Sequence, residues 1–237
     1  MRYRRKWYTK LMMAVLIGLA LLWTLMPVYI IVSNSMRRTL EMKEMPPKLL
    51  FAPTWTHFEK VLTLDRFGQY FLNSVIITGS VVLLTILAGS LAAYGLKICK
   101  SKIGRNISNV LLLGKMVPVV TIMIPLFIMF NRVHLTGLHL APILAHCCLT
   151  LPFVTWLMNS FIGDIPDELI EAATVMGCSR LLVFPRIILP LLKPAVASAA
   201  ILVMQSSWNE LLFALTLTGI KTYPLTVGIA KYVGALS

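Results

Sequence analysis

Five stretches of this chain are too long and too poor in charge to fold as surface segments in water. Leu11–Val32 and Phe71–Leu96 hold no charged residue, and Ile107–Asn131 is interrupted only by Lys115. Gly137–Ile162 holds only the titratable His139 and His146, and Pro194–Ile220 only Glu210. At a helical rise of about 1.5 Å per residue, each is long enough for a hydrocarbon core of about 30 Å. Lipid cannot satisfy exposed backbone groups, so the spanning form is the helix; the ten-residue alternation of barrel strands is absent. The composition agrees, with 58% of residues apolar and 13% charged, about half the charge of an ordinary soluble domain. Soluble, disordered and disulfide-knotted classes are thereby excluded. The four cysteines show no C-x-x-C spacing, which argues against a disulfide framework and a zinc site. The fold class is all-α: a polytopic helical bundle in a membrane.

Charge bias predicts its orientation. The net charge of +13 is unevenly distributed. Residues 1–10 carry Arg2, Arg4, Arg5, Lys6 and Lys10 without an acid, and the link Lys97–Asn106 carries Lys97, Lys100, Lys102 and Arg105 without one. Positive loops face the cytoplasm. The N-terminus and this link are therefore expected inside, residues 33–70 outside, 163–193 inside, and 221–237 outside. The first run is longer than a signal-peptide core, contains Trp23 and Pro27, and lacks a small-residue cleavage site; it reads as an uncleaved span, 11–32. The remaining spans form a core over 71–220.

The connection 163–193 is more than a spacer. Asp164 is suited to cap a helix, Pro166 to enter its first turn, and Asp167, Glu168 and Glu171 to face its positive end. Leu169, Ala172, Ala173 and Met176 fall on one face at helical spacing. Gly177 suits a left-handed turn, and Ser179 precedes a second helix, Arg180 to Leu189, closed by Pro190 and Pro194. Pro185 is expected to kink that helix. The pattern predicts a helix–turn–helix elbow with an acidic first leg and an apolar, basic second leg. Its small residues and tight turn suit a docking knob; the acids count against a helix resting on anionic headgroups.

Within this elbow, Glu171-Ala172-Ala173, Gly177, Ile187 and Leu189-Pro190 resemble, at every fixed position and gap, the EAA motif of permease subunits of bacterial ABC importers. Tyr70-Phe71-Leu72-Asn73-Ser74, Met116-Val117-Pro118, Ile124-Pro125-Leu126-Phe127, Leu151-Pro152-Phe153 with Trp156, and Ser207-Trp208-Asn209-Glu210 are similar to sugar-importer permeases of the maltose-transporter type. Met176 departs from the pattern, which often has an acid there. The resemblance implies an inner-membrane subunit whose EAA loop fits a cleft on a cytosolic ATP-binding subunit, two of which serve the transporter. It further implies a second permease subunit and an extracytoplasmic solute-binding protein as partners. It also implies a sixth span after Ser237, so the chain is expected to be C-terminally truncated relative to the family, with Tyr223–Ser237 as an outer link.

Other residues carry weaker readings. Glu210, about 25 Å beyond Lys193 along an ideal helix, is either a functional intramembrane acid or a residue paired with a neighbouring helix or hydrated; with Trp208 and Asn209 it is a candidate lining of a sugar path. Lys115 is expected to snorkel inward, and Pro118 and Pro125 to kink the third span. His146, Cys147 and Cys148 are adjacent and cannot converge on a metal from one helix, so packing is expected. Gly89/Ala93 and Ala195/Ala199 suit close helix contacts. No GxxxxGK[ST] loop occurs, so ATP hydrolysis is assigned to another subunit, and no cofactor or catalytic constellation is evident. The expected activity is ATP-driven, binding-protein-dependent import of sugars or oligosaccharides. Two alternatives stand: the same architecture carrying a polyamine or phosphonate, and a truncated membrane assembly protein that transports nothing.

Overall fold

A computed structural model describes residues 7–38, 41, 51–63, 66–99, 110, 113–114 and 117–236. Arg2, Arg4, Arg5, Lys6, Lys100, Lys102, Arg105, Lys115, Met116 and Ser237, and the start of the expected third span, lie outside the described residues. The chain divides into two compact units, Met1–Arg66 and Phe67–Ser237.

The first unit holds α1, Trp7–Ser35, a single helix that continues through Pro27. It absorbs the run 11–32 and extends beyond it at both ends. Its large apolar side chains, Leu22 and Trp23 among them, are exposed, as a lipid-facing helix requires. Beyond it the Thr54 N–H donates to the Met36 carbonyl at 2.8 Å. His57 Nε2 lies 2.9 Å from the Arg37 carbonyl. The short helix α2, Thr56–Thr63, completes this unit.

The second unit is built on α3, Phe67–Ile98, and α5, Leu140–Gly163. Both are uncharged over a span's length, and α3 buries Ile77, Val81, Ile86, Ala93 and Tyr94 against Val154, Met158 and Ile162 of α5. Gly89 permits the approach: a Cβ there would sit 2.7 Å from Val154 Cγ1. The small pair expected at 89 and 93 is thus a true contact. Helix α4, Val119–Arg132, is the described part of the third span. It begins after Pro118 and contains Pro125.

After α5 come α6, Asp167–Val175, and α7, Arg180–Leu191. Helix α8, Lys193–Trp208, leaves α7 at a 77° bend. Pro194 sits in its first turn, where its missing N–H costs nothing. Ala195 and Ala199 are fully buried in the same core as α3 and α5, as their small size predicts.

The expected fifth span, Pro194–Ile220, is not one helix. It stops at Trp208 and resumes as α9, Leu212–Leu217. The cause is local: Glu210 turns its carboxylate to the free N–H groups that open α9, described below. Residues taken as an outer link are also helical, forming α10, Leu225–Leu236. Val227 is fully buried while Ile229 is exposed, and the Leu225 N–H donates to Ser74 Oγ of α3 at 2.8 Å. Among the described residues, three helices (α1, α3 and α5) are individually long and apolar enough to cross a membrane, and α7 with α8 make one further bent candidate.

Candidate functional site

The elbow forms, with changes at its caps. Asp164 does not start α6; it is the C-terminal cap residue of α5, and Pro166 stands before Asp167 with no side-chain cap. The Pro166 ring fixes φ at −58° and sends the chain into the first turn from an extended ψ of 136°, leaving Asp167 and Glu168 at the positive end of the helix. Gly177 has φ +86°, the left-handed conformation predicted for it. The Cys178 N–H then closes the turn on the Ala173 carbonyl at 2.9 Å, and the Gly177 N–H on that of Thr174 at 3.0 Å, a Schellman-like arrangement.

The second leg is longer than Arg180–Leu189 and is not stopped at Pro190. Ser179 supplies its carbonyl, not its hydroxyl, to the N–H groups of Leu182 and Val183. Pro185 does not break the leg. It widens it into a π turn over Phe184–Ile188, in which the Leu189 N–H reaches back to the Phe184 carbonyl. A proline has no N–H to give and its ring crowds the carbonyl a turn earlier; the wider turn relieves both.

Of the motif residues, Glu171, Ala172 and Gly177 face outward, whereas Ala173 is buried in the core with Val183, Phe184 and Ile188. Ile187 and Leu189 are half-buried against that core and Pro190 is exposed. Ala173 is therefore small because the second leg packs on it, not to admit a partner's backbone. The outward knob is apolar at its tip: Val175 is 88% exposed, Met176 81% and Leu181 85%.

Two α3 residues fix both legs. Lys97 Nζ lies 2.8 Å from the Ile162 carbonyl, also donates to the Ile165 carbonyl, and stands 3.2 Å from Asp167 Oδ1. The Tyr94 hydroxyl donates to the Arg180 carbonyl at 2.7 Å, and its ring lies 5.3 Å from that of Phe184. A cleft of about 510 Å³ opens beside them, lined by Lys97, Ile98, Glu171, Thr174 and Arg180. The sequence reading missed these ties because it assigned Lys97 to a loop and gave Tyr94 no role. The available signal was a cation at the C-terminal end of a span, where it complements carbonyls of a neighbouring helix end.

At the opposite end of α8, Trp208, Asn209 and Glu210 part company. Trp208 is half-buried, its ring edge-on to Phe71 at 5.9 Å. Asn209 is exposed and donates from Nδ2 to the Gln205 carbonyl at 2.8 Å. Glu210 accepts from the Phe213 N–H at 3.0 Å and the Ala214 N–H at 3.2 Å. Its Oε2 lies 3.5 Å from His146 Nε2 of α5, and the His146 ring stands edge-on to Phe213. The carboxylate is the missing helix cap: it satisfies N–H groups that open α9 and that lipid would leave bare. His146 and Glu210 were each read singly; that Glu210 is the lone charged residue of one apolar run, beside a run that carries histidines, was the signal for their pairing.

A second polar cluster lies at this end. Asn73 Nδ2 donates to the Lys221 and Tyr223 carbonyls, both at 3.0 Å, and its Oδ1 lies 2.8 Å from His139 Nε2. The Gly137 N–H donates to the Leu217 carbonyl and the Thr222 hydroxyl to the Gly137 carbonyl, each at 2.8 Å. These bonds hold the turn after α9 to α3 and to the entry of α5. Among the described residues no cluster of His, Cys, Asp and Glu is arranged to hold a metal.

Comparison with known proteins decides the family. The family of binding-protein-dependent transport system inner membrane components matches residues 85–233. The chain belongs to that family. The permease is 32% identical to a probable ABC transporter permease of Sinorhizobium fredii over 84% of this chain and 75% of that one. It is 32% identical to the melibiose/raffinose/stachyose import permease of Bacillus subtilis, over 88% and 76%. It is 34% identical to a trehalose/maltose transport permease of Thermococcus litoralis, over 79% and 69%. It shares its fold, at a TM-score of 0.82, with a chain of a bacterial ABC transporter that imports the acidic polysaccharide alginate; the likeness covers 100% of this permease and 84% of that chain at 22% identity. The all-α membrane class and the permease resemblance read from the sequence agree with these relatives.

Proposed function

We propose that this permease is the membrane subunit of an ATP-driven importer of sugars or oligosaccharides, worked through the α6–Gly177–α7 elbow. The elbow lies on the cytoplasmic side and seats in cytosolic ATP-binding subunits, two per transporter. A second permease subunit completes the pathway, and an extracytoplasmic binding protein delivers the solute. The single observation that carries this is the geometry of the elbow: a stiff turn at Gly177 with three apolar side chains, Val175, Met176 and Leu181, turned out into solvent. Apolar surface of that kind at a rigid protrusion marks a docking site. Relatives named for melibiose, raffinose, stachyose, trehalose and maltose support sugars as the cargo.

ATP binding closes the partner subunits around the elbow and rocks the spans, a rigid-body movement of packed helices. The solute passes the break between α8 and α9, where the Trp208 ring and the exposed Asn209 amide offer an apolar face and hydrogen bonds to a hydroxyl-rich ligand. Glu210 borders that path and shapes it by holding the break. The test is charge reversal, Glu171→Lys, combined with Gly177→Val. Uptake of labelled melibiose, and co-purification of the ATPase, are expected to be lost while the permease remains monodisperse in detergent. A variant that still binds its ATPase and transports would overturn the reading.

A further inference from the structure

We propose that Lys97 is the positioning residue through which movement of the elbow enters the transmembrane helices; the inference rests on the coupling role given above. The ammonium group occupies a junction. It takes the Ile162 and Ile165 carbonyls, at and just past the end of α5, and the Asp167 carboxylate in the first turn of α6. Its own helix is α3. One side chain thus joins two membrane helices and the first leg of the elbow, and at 12% exposure it is largely withdrawn from water.

The chemistry of the junction explains why a lysine serves. Carbonyls at the end of α5 carry the negative end of that helix, that of Ile162 taking the Ile165 N–H at 3.2 Å as well as the ammonium, while the start of α6 carries the positive end and draws the Asp167 carboxylate. A compact cation with rotatable donors satisfies all three acceptors at once. An apolar residue would remove the one cation that two carbonyls and a carboxylate share. Within α6 the apolar contacts are those of Ala173, buried against the second leg, and of the half-buried Ile170; Lys97 adds the ionic tie to α3.

The second leg is tied to the same helix by different means. Tyr94, one turn before Lys97, donates to the Arg180 carbonyl and packs its ring on Phe184. Both legs therefore end on the last turn of α3. A pull on the Gly177 tip reaches α3 as a rotation of a rigid body and does not merely bend a loop. Lys97 governs the ionic half of that attachment, and its removal uncouples the first leg while the apolar packing of the second keeps the elbow folded.

The experiment uses the assembled transporter, permease with its ATPase and partner subunits, in proteoliposomes. The native cysteines at 99, 147, 148 and 178 are replaced by serine and a reporter is introduced by Gln205→Cys, one turn before the break. ATP with vanadate is expected to change the maleimide labelling rate of the reporter. With Lys97→Met that change is expected to vanish while the ATPase still co-purifies and hydrolyses ATP; Lys97→Arg is expected to restore it. Asp167→Asn, which leaves the carbonyl bonds of Lys97 in place, is expected to reduce the response and serves if Lys97→Met does not assemble. A nucleotide response unchanged in Lys97→Met, or unchanged in Asp167→Asn where that variant is the one assembled, would overturn the inference. A parent transporter in which the elbow never meets the ATPase would end the coupling role itself, and this inference with it.

Discussion

Gly89 is a position at which a single methyl group would meet the backbone of a neighbouring helix. Its Cβ would lie 2.7 Å from Val154 Cγ1 and 3.2 Å from the Thr155 backbone nitrogen. The valine can turn but the backbone cannot, so Gly89→Ala forces α3 and α5 apart. Overpacking of this kind costs about 1–3 kcal/mol, read as a lower thermal midpoint in detergent. Val154→Ala in the same chain is expected to recover part of it, and a double variant no better than the single would show that the clash lies with Thr155. Glu210 is a different case, where removal rather than addition is costly. Glu210→Leu strips the Phe213 and Ala214 N–H groups of their acceptor and leaves His146 without its partner. At about 1–3 kcal/mol for each unsatisfied buried group, the loss is expected to exceed that of Glu210→Gln, which keeps one acceptor oxygen. The same thermal assay ranks the two, and equal midpoints would remove the capping role.

At the scale of elements, the turn at Gly177 isolates backbone strain from packing. No heavy atom lies within 4 Å of a Cβ built there, so Gly177→Ala acts through its φ of +86° alone. The expected cost is about 1–2 kcal/mol, smaller for Gly177→Asn, whose side chain tolerates the left-handed region. If alanine and asparagine destabilise equally, the turn has rearranged. What could be foreseen in these elements follows from how information is carried in the sequence. Spans announce themselves as uncharged runs, and Gly177 as a glycine between two helical patterns, because both are set within a few residues. The break at Asn209–Leu211 was hidden for the opposite reason: hydropathy continues across it, and only the pairing of Glu210 with N–H groups three and four residues on makes it a cap. The same holds for the π turn at Phe184–Ile188. Pro185 foretold a disturbance, but the leg also seats Phe184 against Tyr94, whose hydroxyl bonds the Arg180 carbonyl 86 residues away, a contact no local pattern announces. Lys97 was legible as a charge and illegible as a tie, since its three acceptors all lie in a part of the chain some 65 residues away.

For the whole molecule, the two polar assemblies lie at opposite ends of α8. Its 16 residues separate the elbow from the break by about 24 Å, most of a hydrocarbon core. Whatever closes on the elbow therefore acts at one membrane face, and the cluster of Asn73, His139 and Thr222 answers at the other. The distribution of charge sets which face is which: the elbow end carries Lys97, and the link that follows it adds Lys100, Lys102 and Arg105 with no acid, so that end is expected in the cytoplasm. Lys221 and Lys231 at the far end oppose this assignment but are fewer. The prediction is a labelling pattern in cells, read with a membrane-impermeant maleimide on chains whose native cysteines are replaced. Val175→Cys, at the exposed tip of the elbow, is expected to react only after the membrane is opened, and Lys221→Cys, in the exposed turn after α9, to react in intact cells. The reverse pattern would place the elbow beyond the reach of any ATP-binding subunit. Reaction of both from one side would mean that α8 and α9 together do not cross, and the bend of 77° before α8 would then belong to a hairpin in one leaflet instead of a span.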